Sequence, residues 1–481
     1  MELLTIIAFP VLAFVVHSFL PKQRGAFLVS TLFYSALLVV QSLRAFISPV
    51  YLNAGGVRLW GDFALVPSFY LTGLNAPLLL LIGLVLPFVA LLLRSVHAED
   101  KRYTLSAWVF LLGLAGTFIS QSLILFYVFF ETSLIGAYFW IGLFGRSSVS
   151  GSPGGWSGLT RFFLFTLVGS LSMLASIAAL SSGGKDVRFT DVPIVLGTFS
   201  DSGRFWIFAG FALAFAIKLP LFGFHGWLRE TYAMAPPAAR ALLSGIMSKL
   251  GAYGFLLLAV YFGIEFRLHS KLIIALCAAG VLYGGLVSLS QKRFLDVVVY
   301  SSLAHLNLIV MGLAAMSGSV SDTTIVSACV LQMFNHGLIM AAILVYDARM
   351  GSPDESQSGM REHAGILSAL LLLSLFAAVS LPGLSSFPPE FAILYAAFKT
   401  SIWIAFIAGL GLLISAAALI RSYHRIYAGN FAGSASVASS GETSRMEAVI
   451  GVIFGLVWIG LGILPGLMLS PVAAALGVIK L

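Results

Sequence analysis

The sequence predicts an all-α polytopic membrane protein, and three observations carry the prediction. Of 481 residues, 59% are hydrophobic and only 10% charged, with a mean hydropathy of +1.01; soluble domains carry about 25% charged residues. The apolar residues gather into about fourteen runs near the length that crosses a bilayer as a helix. The polar segments between the runs are too short to fold alone, so the chain is one membrane domain.

Taken in order, the expected spans are 3–20, 26–47, 74–94, 106–120, 122–145, 162–180, 205–227, 237–263, 272–290, 294–316, 323–346, 364–398, 402–427 and 447–476. The first run lacks a preceding basic region and a small-residue cleavage site, so it reads as a retained helix and not a signal peptide. Residues 48–72, 146–160, 349–363 and 429–446 are rich in loop-forming residues. Loops after odd-numbered spans hold sixteen Lys and Arg, and those on the other side nine, with Lys218 and Lys249 inside spans completing the 27. The basic-rich side is expected to be cytoplasmic, which puts both termini on the non-cytoplasmic side. The net charge of +8 therefore reflects helix ends and does not point to nucleic acid. Cys277 and Cys329 are the only cysteines. Without a CxxC or Cys/His cluster, the chain is expected to ligate neither an iron–sulfur cluster nor zinc.

Ionisable residues inside apolar runs are the strongest functional signal. Glu131 lies in ILFYVFFETSLIGAYFW, Lys218 in FALAFAIKLPLFGFHGWL, and Lys249 in ALLSGIMSKLGAYGFLLL. A charge at bilayer depth costs roughly 2.5–3.5 kcal/mol on insertion scales. Internal ion pairing is the alternative, but buried pairs stabilise less than apolar packing. Ion movement is thus the preferred reading. Two spans are interrupted by proline next to such residues, at 218-KLPLFGFHGW and 380-SLPGLSSFPPEF. Proline removes a helix hydrogen bond, and broken helices survive at membrane depth only around cavities or inside protein. A matched pair of breaks suggests inverted repeats around an ion path. The expected organisation is N-terminal helices over 1–105, a first five-helix repeat over 106–263, a second over 264–427, and a C-terminal helix within 428–481. Under that scheme Lys218 and Glu390 take comparable places, and Glu131 is matched by His305. His225 and Trp227 are read as packing or capping groups, and His17 and His424, near helix ends, as interfacial.

The runs 127-YVFFETSLIGAYFWIGLFG, 214-AFAIKLPLFGFHGWLRETYAMAPPAARALLSGIMSKLGAYG, 300-YSSLAHLNLIVMG, 332-QMFNHG and 381-LPGLSSFPPEFAIL resemble the antiporter-like subunits of respiratory complex I. These are relatives of Mrp-type antiporters and of the membrane arms of some hydrogenases. The resemblance covers roughly 105–425 and is nearest the M chain (mitochondrial subunit 4 type), because a glutamate stands in the second broken helix. It implies a proton relay: Glu131 paired with Lys218, Lys249 at the centre, His305 and His336 as the polar connection, and Glu390 at the exit. It also implies a non-redox subunit of a proton-translocating NADH–quinone oxidoreductase. NADH or another donor, FMN, iron–sulfur clusters and quinone would be held by partner subunits, and homologous antiporter-like chains and lipids would surround this one in a bacterial or archaeal cell membrane. An Mrp-type Na⁺/H⁺ antiporter subunit and the membrane arm of an energy-conserving hydrogenase are the alternatives. The chain departs from the family pattern at Arg229 and Glu230, at Arg240, at Leu295–Asp296, and in a short interval from His336 to Tyr346.

Overall fold

The computed structural model describes residues 2–20, 24–53, 57–60, 63–92, 100–145, 158–316, 323–351, 365–427 and 445–478. Most of the Gly/Ser-rich stretch 146–160, most of the polar segments 349–363 and 429–446, and the basic residues Lys22, Arg94, Arg146, Arg361 and Lys480 lie outside them.

The chain folds as a bundle of apolar helices. They are α1 (Glu2–Phe19), α2 (Arg24–Ile47), α3 (Ala76–Leu92), α4 (Lys101–Ile119), α5 (Leu123–Phe144) and α6 (Gly158–Leu180). A 3₁₀ turn and the short α7 (Val192–Leu196) lead to α8 (Asp201–Lys218), α9 (Leu228–Met234) and α10 (Pro237–Leu242). Then come α11 (Ser248–Tyr261), α12 (Gly263–Leu268), α13 (Ser270–Ser290), α14 (Phe294–Ala314) and α15 (Thr323–Arg349). The rest are α16 (Gly365–Ala378), α17 (Phe387–Thr400), α18 (Ile402–Ile426), α19 (Arg445–Ile463) and α20 (Gly466–Val478). Among the described residues, ten helices are long and apolar enough to cross a membrane, and four shorter apolar helices accompany them.

Three local features depart from the sequence reading. The segment 48–72, read as loop, forms short strands: β1 (Val50–Asn53) pairs antiparallel with β4 (Ser68–Leu71), and β2 (Val57–Trp60) with β3 (Phe63–Leu65). Their β-branched and aromatic residues favour the pleated form, and the backbone amide of Gln121 at the end of α4 donates to Ser68. The span 447–476 is two helices, because Leu464 and Pro465 stand between α19 and α20. Finally, the span 237–263 is not regular: a π-turn over Leu243–Met247 joins α10 to α11.

Two interlocks hold the first half. A Cβ on Gly113 of α4 would stand 2.2 Å from the Ser133 nitrogen of α5, and one on Gly136 2.4 Å from the Phe110 nitrogen. Each glycine thus seats the other helix's backbone, and Ser133 and Glu131 are placed by that contact. In the last turn of α1, His17 is buried against its neighbours. Its Nε2 lies 3.1 Å from the Ser30 hydroxyl and its ring stacks on Trp108. His424, in the last turn of α18, is exposed.

The two helix breaks share one backbone design, 160 residues apart. Leu219 and Val379 close the last α-type bond, each at 2.9 Å. Leu221 donates to Ala216 and Leu381 to Phe376, each five residues back. Gly223 and Gly383 then turn the chain at φ of 91° and 92°, a left-handed conformation that glycine adopts without a Cβ clash. In this register the place of Lys218 is taken by Ala378. Glu390 stands instead in the first turn after its break, so Lys218 and Glu390 do not occupy comparable places, as the sequence suggested.

Candidate functional site

Lys218 ends α8, where the helix dipole favours a cation, and is buried. Its Nζ donates to the Ser133 hydroxyl at 3.4 Å and lies 4.6 Å from the Phe130 ring centroid. A desolvated cation–π contact of this kind contributes about 2 kcal/mol. Both partners sit on α5 within one turn of Glu131. Glu131 feels the Lys218 charge. The two charges interact through space, since Glu131 and Lys218 form no ion pair within 4.0 Å. Trp227 closes the break by donating from its indole to the Ile217 carbonyl at 3.0 Å, and His225 packs on Phe222 and Tyr283. Both act as packing groups there.

Lys249 is fully buried at the start of α11. Its ammonium donates to the Ser244 carbonyl at 2.6 Å and to the Ser248 hydroxyl at 3.2 Å. Ser244 belongs to the π-turn, and such a bulge leaves carbonyls free of the regular ladder. The turn packs on α15 where Gly245 and Gly337 meet. Next along α15 is His336, which feels the Lys249 charge.

The third group joins α14, α15 and α17. His305 Nδ1 lies 2.8 Å from Glu390 Oε1, and the Gln332 amide donates to the same oxygen at 2.6 Å. The His305 and His336 rings are 5.8 Å apart. All four residues are buried. Beyond Glu390 along α17, Ile393 packs with Cys329 against Gly312 of α14, an apolar plug toward the end of the bundle at Lys399.

The six residues singled out from sequence thus form three groups and no continuous chain of direct hydrogen bonds. Between them stand buried polar atoms without a hydrogen-bond partner in the protein: Glu131 Oε1, both nitrogens of His336, Gln332 Oε1 and Asn335 Oδ1. Buried polar groups of this kind are ordinarily satisfied by ordered water. The row thus holds lysine, histidine and glutamate side chains with unpartnered polar atoms among them.

Sequence reasoning missed Ser133, Ser244, Gln332 and two asparagines. Asn307 of α14 accepts from the Phe222 amide in the first break at 3.2 Å, and Asn335 of α15 donates to the Ser385 carbonyl in the second at 2.7 Å. The signal available was a neutral polar residue within five positions of an ionisable candidate in an apolar run. The departures from the family pattern resolve in space. Arg229 pairs with the buried Asp296 at 2.9 Å, and Glu230 with Arg161 at 2.7 Å. Arg240 donates to the Ala235 carbonyl at 3.1 Å. After the short interval, Asp347 accepts from Tyr427 at 2.8 Å and Arg349 pairs with Glu447 of α19.

Comparison with known proteins agrees with this arrangement. Residues 120–415 match the family described as NADH:quinone oxidoreductase/Mrp antiporter, TM. NADH-quinone oxidoreductase subunit 13 of Thermus thermophilus is 33% identical over 423 residues, covering 85% of this chain and 87% of that protein. NADH-ubiquinone oxidoreductase chain 4 of Marchantia polymorpha is 30% identical over 419 residues, covering 85% and 79%. Among solved structures, a chain of respiratory complex I from Thermus thermophilus superposes with a TM-score of 0.82 at 27% identity, covering 100% of this chain and 99% of that one. A chain of the Mrp complex from Dietzia sp. DQ12-45-1b reaches the same TM-score of 0.82 at 16% identity, covering 99% and 97%, and shares the fold. The chain is therefore a multi-pass integral membrane protein and belongs to the NADH:quinone oxidoreductase/Mrp antiporter transmembrane family.

Proposed function

We propose that this chain translocates protons as a non-redox membrane subunit of an NADH–quinone oxidoreductase or a close relative with another electron donor. The observation that carries the reading is the row of ionisable groups on six membrane helices: Glu131, half-buried, and Lys218, Lys249, His336, His305 and Glu390, all buried. Burying so many titratable groups is costly and is characteristic of ion paths. Glu131 sets the charge state of Lys218, Lys249 relays, the histidines connect, and Glu390 releases. NADH or another donor, FMN, iron–sulfur clusters and quinone belong to partner subunits, and the drive reaches this chain through homologous neighbours. The family's description and the subunit names of its relatives support membership of such an assembly.

Two repeats, 106–263 and 264–427, account for the organisation. The shared backbone pattern at the two breaks supports them, as do the mid-helix positions of Glu131 in α5 and His305 in α14. The termini face the non-cytoplasmic side of a bacterial or archaeal cell membrane. The test is the proton-to-electron ratio of the complex in proteoliposomes. Glu390→Gln keeps the shape but cannot titrate, so the ratio should fall while native-gel assembly and electron transfer persist. An unchanged ratio would remove Glu390 from the path, and co-purification with small Mrp-like chains in place of quinone-reductase subunits would overturn the assignment.

A further inference from the structure

Four helix ends converge on one cavity of about 500 Å³: the start of α13, the end of α14, the start of α15 and the end of α17. Lys271 and Lys399 both line it, as do the hydroxyl-bearing Ser270, Thr324 and Thr400. Its lining carries no carboxylate among the described residues. Neither ammonium is paired with a described carboxylate within 4.0 Å. Lys399 instead sits 4.8 Å over the ring of Tyr395, which also lines the cavity. By the loop count, these two cations are among the nine basic residues on the side expected to be poorer in Lys and Arg. Two like charges brought to one polar opening repel each other, and an anion between them removes that cost.

The surroundings indicate where the anion comes from. Below the opening, α17 and α18 present Phe391, Phe398, Ile402 and Phe406 outward, each more than half exposed. Trp403 is 71% exposed beside the α17–α18 junction, and tryptophan and tyrosine favour the headgroup level of a membrane. An acyl chain can lie on that apolar face while its phosphate enters the cavity, which a free phosphate would not exploit. We propose that this cavity binds the phosphate of an anionic membrane lipid between Lys271 and Lys399, with Ser270 and Thr400 as hydroxyl donors. The lipid would bridge α13 to α17, at the end of the bundle beyond the plug of Ile393 and Cys329.

The test uses the full chain in its complex, exchanged into detergent with phosphatidylglycerol or phosphatidylcholine and examined by native mass spectrometry. Wild type should retain phosphatidylglycerol in preference to phosphatidylcholine. The double variant Lys271→Gln/Lys399→Gln should bind it on the order of tenfold to thirtyfold more weakly, as two surface cations contribute. Lys271→Arg/Lys399→Arg should keep it. Both lysines are exposed, so assembly on native gels should match wild type in every variant. Equal retention by the Gln variant, or no preference over phosphatidylcholine, would overturn the proposal. So would full displacement by millimolar inorganic phosphate, which would make the site one for a free anion. If the Gln variant failed to assemble, loss of phosphatidylglycerol by the Arg variant would equally refute it.

Discussion

Asp296 and Arg229 illustrate how unlike the two ends of one ion pair can be. The Asp296 side chain is 3% exposed and the Arg229 side chain 50%. Arg229→Ala would leave a carboxylate buried without its cation, whereas Asp296→Asn leaves an arginine that water can reach. Removing one partner of a buried pair costs about 3–5 kcal/mol, and we expect Arg229→Ala to approach the lower end. Asp296→Asn should cost about 1 kcal/mol or less. Thermal stability of the purified complex checks this, and equal effects would mean that Asp296 is hydrated. At the Lys218 site, Glu131→Ala should cut redox-coupled pumping strongly while the complex assembles, and Glu131→Asp should retain part. Wild-type pumping by Glu131→Ala in proteoliposomes would make the carboxylate a packing group. The charged members of the site were legible because a charge in an apolar run stands out. Ser133 and Gln332 were not, because neutral polar residues are common in helices and only proximity gives them a role. Arg229 and Asp296 looked like two unrelated departures, 67 positions apart, until the fold brought them together.

At the scale of elements, the breaks and interlocks decide where the site residues point. Gly136 of α5 faces the Phe110 backbone so closely that a larger residue has nowhere to go. Gly136→Leu should therefore cost more than about 3 kcal/mol and abolish assembly on native gels, while Gly409→Ala on α18, whose Cβ would meet nothing within 4 Å, should be neutral. The plug of Cys329 and Ile393 on Gly312 suggests a different outcome. Ile393→Ser should let water link the Glu390 cluster with the bundle end, raising the passive proton leak of liposomes without preventing assembly. No rise in leak would show that this packing does not seal the path. Both breaks were visible in the sequence from their prolines. The π-turn beneath Lys249 was not, because its residues have no proline and its register depends on the Gly245–Gly337 contact with α15.

Across the whole molecule, α14 and α15 hold the halves together. On α14, Asn307 secures the first break while His305 reaches Glu390 of α17. On α15, Gly337 meets the π-turn while Asn335 holds the second break. A shift of either helix would move both breaks at once. The outer faces of α1, α2, α5, α6, α18 and α19 remain apolar and exposed, with residues such as Leu12, Phe33, Phe139, Val168, Leu413 and Leu456 outward. Such surface suits lipid and neighbouring membrane chains. The chain purified alone should therefore lack transport activity and lose structure on delipidation. Robust Na⁺/H⁺ exchange by the isolated chain in liposomes would favour a self-sufficient antiporter instead.

Hydrophobic runs, helix-breaking prolines and six ionisable residues within apolar runs are local properties, and the sequence alone determined them. Membrane insertion depends on the composition of each segment, and a charge in such a segment is anomalous whatever its neighbours. Which charges meet depends on helix rotation and on bends too small to register in residue patterns. Tertiary structure alone grouped His305, Gln332 and Glu390, kept Glu131 out of an ion pair with Lys218, and brought Lys271 and Lys399 to one cavity. Those outcomes follow from close packing of helix faces, where a single glycine or a π-turn redirects every side chain beyond it.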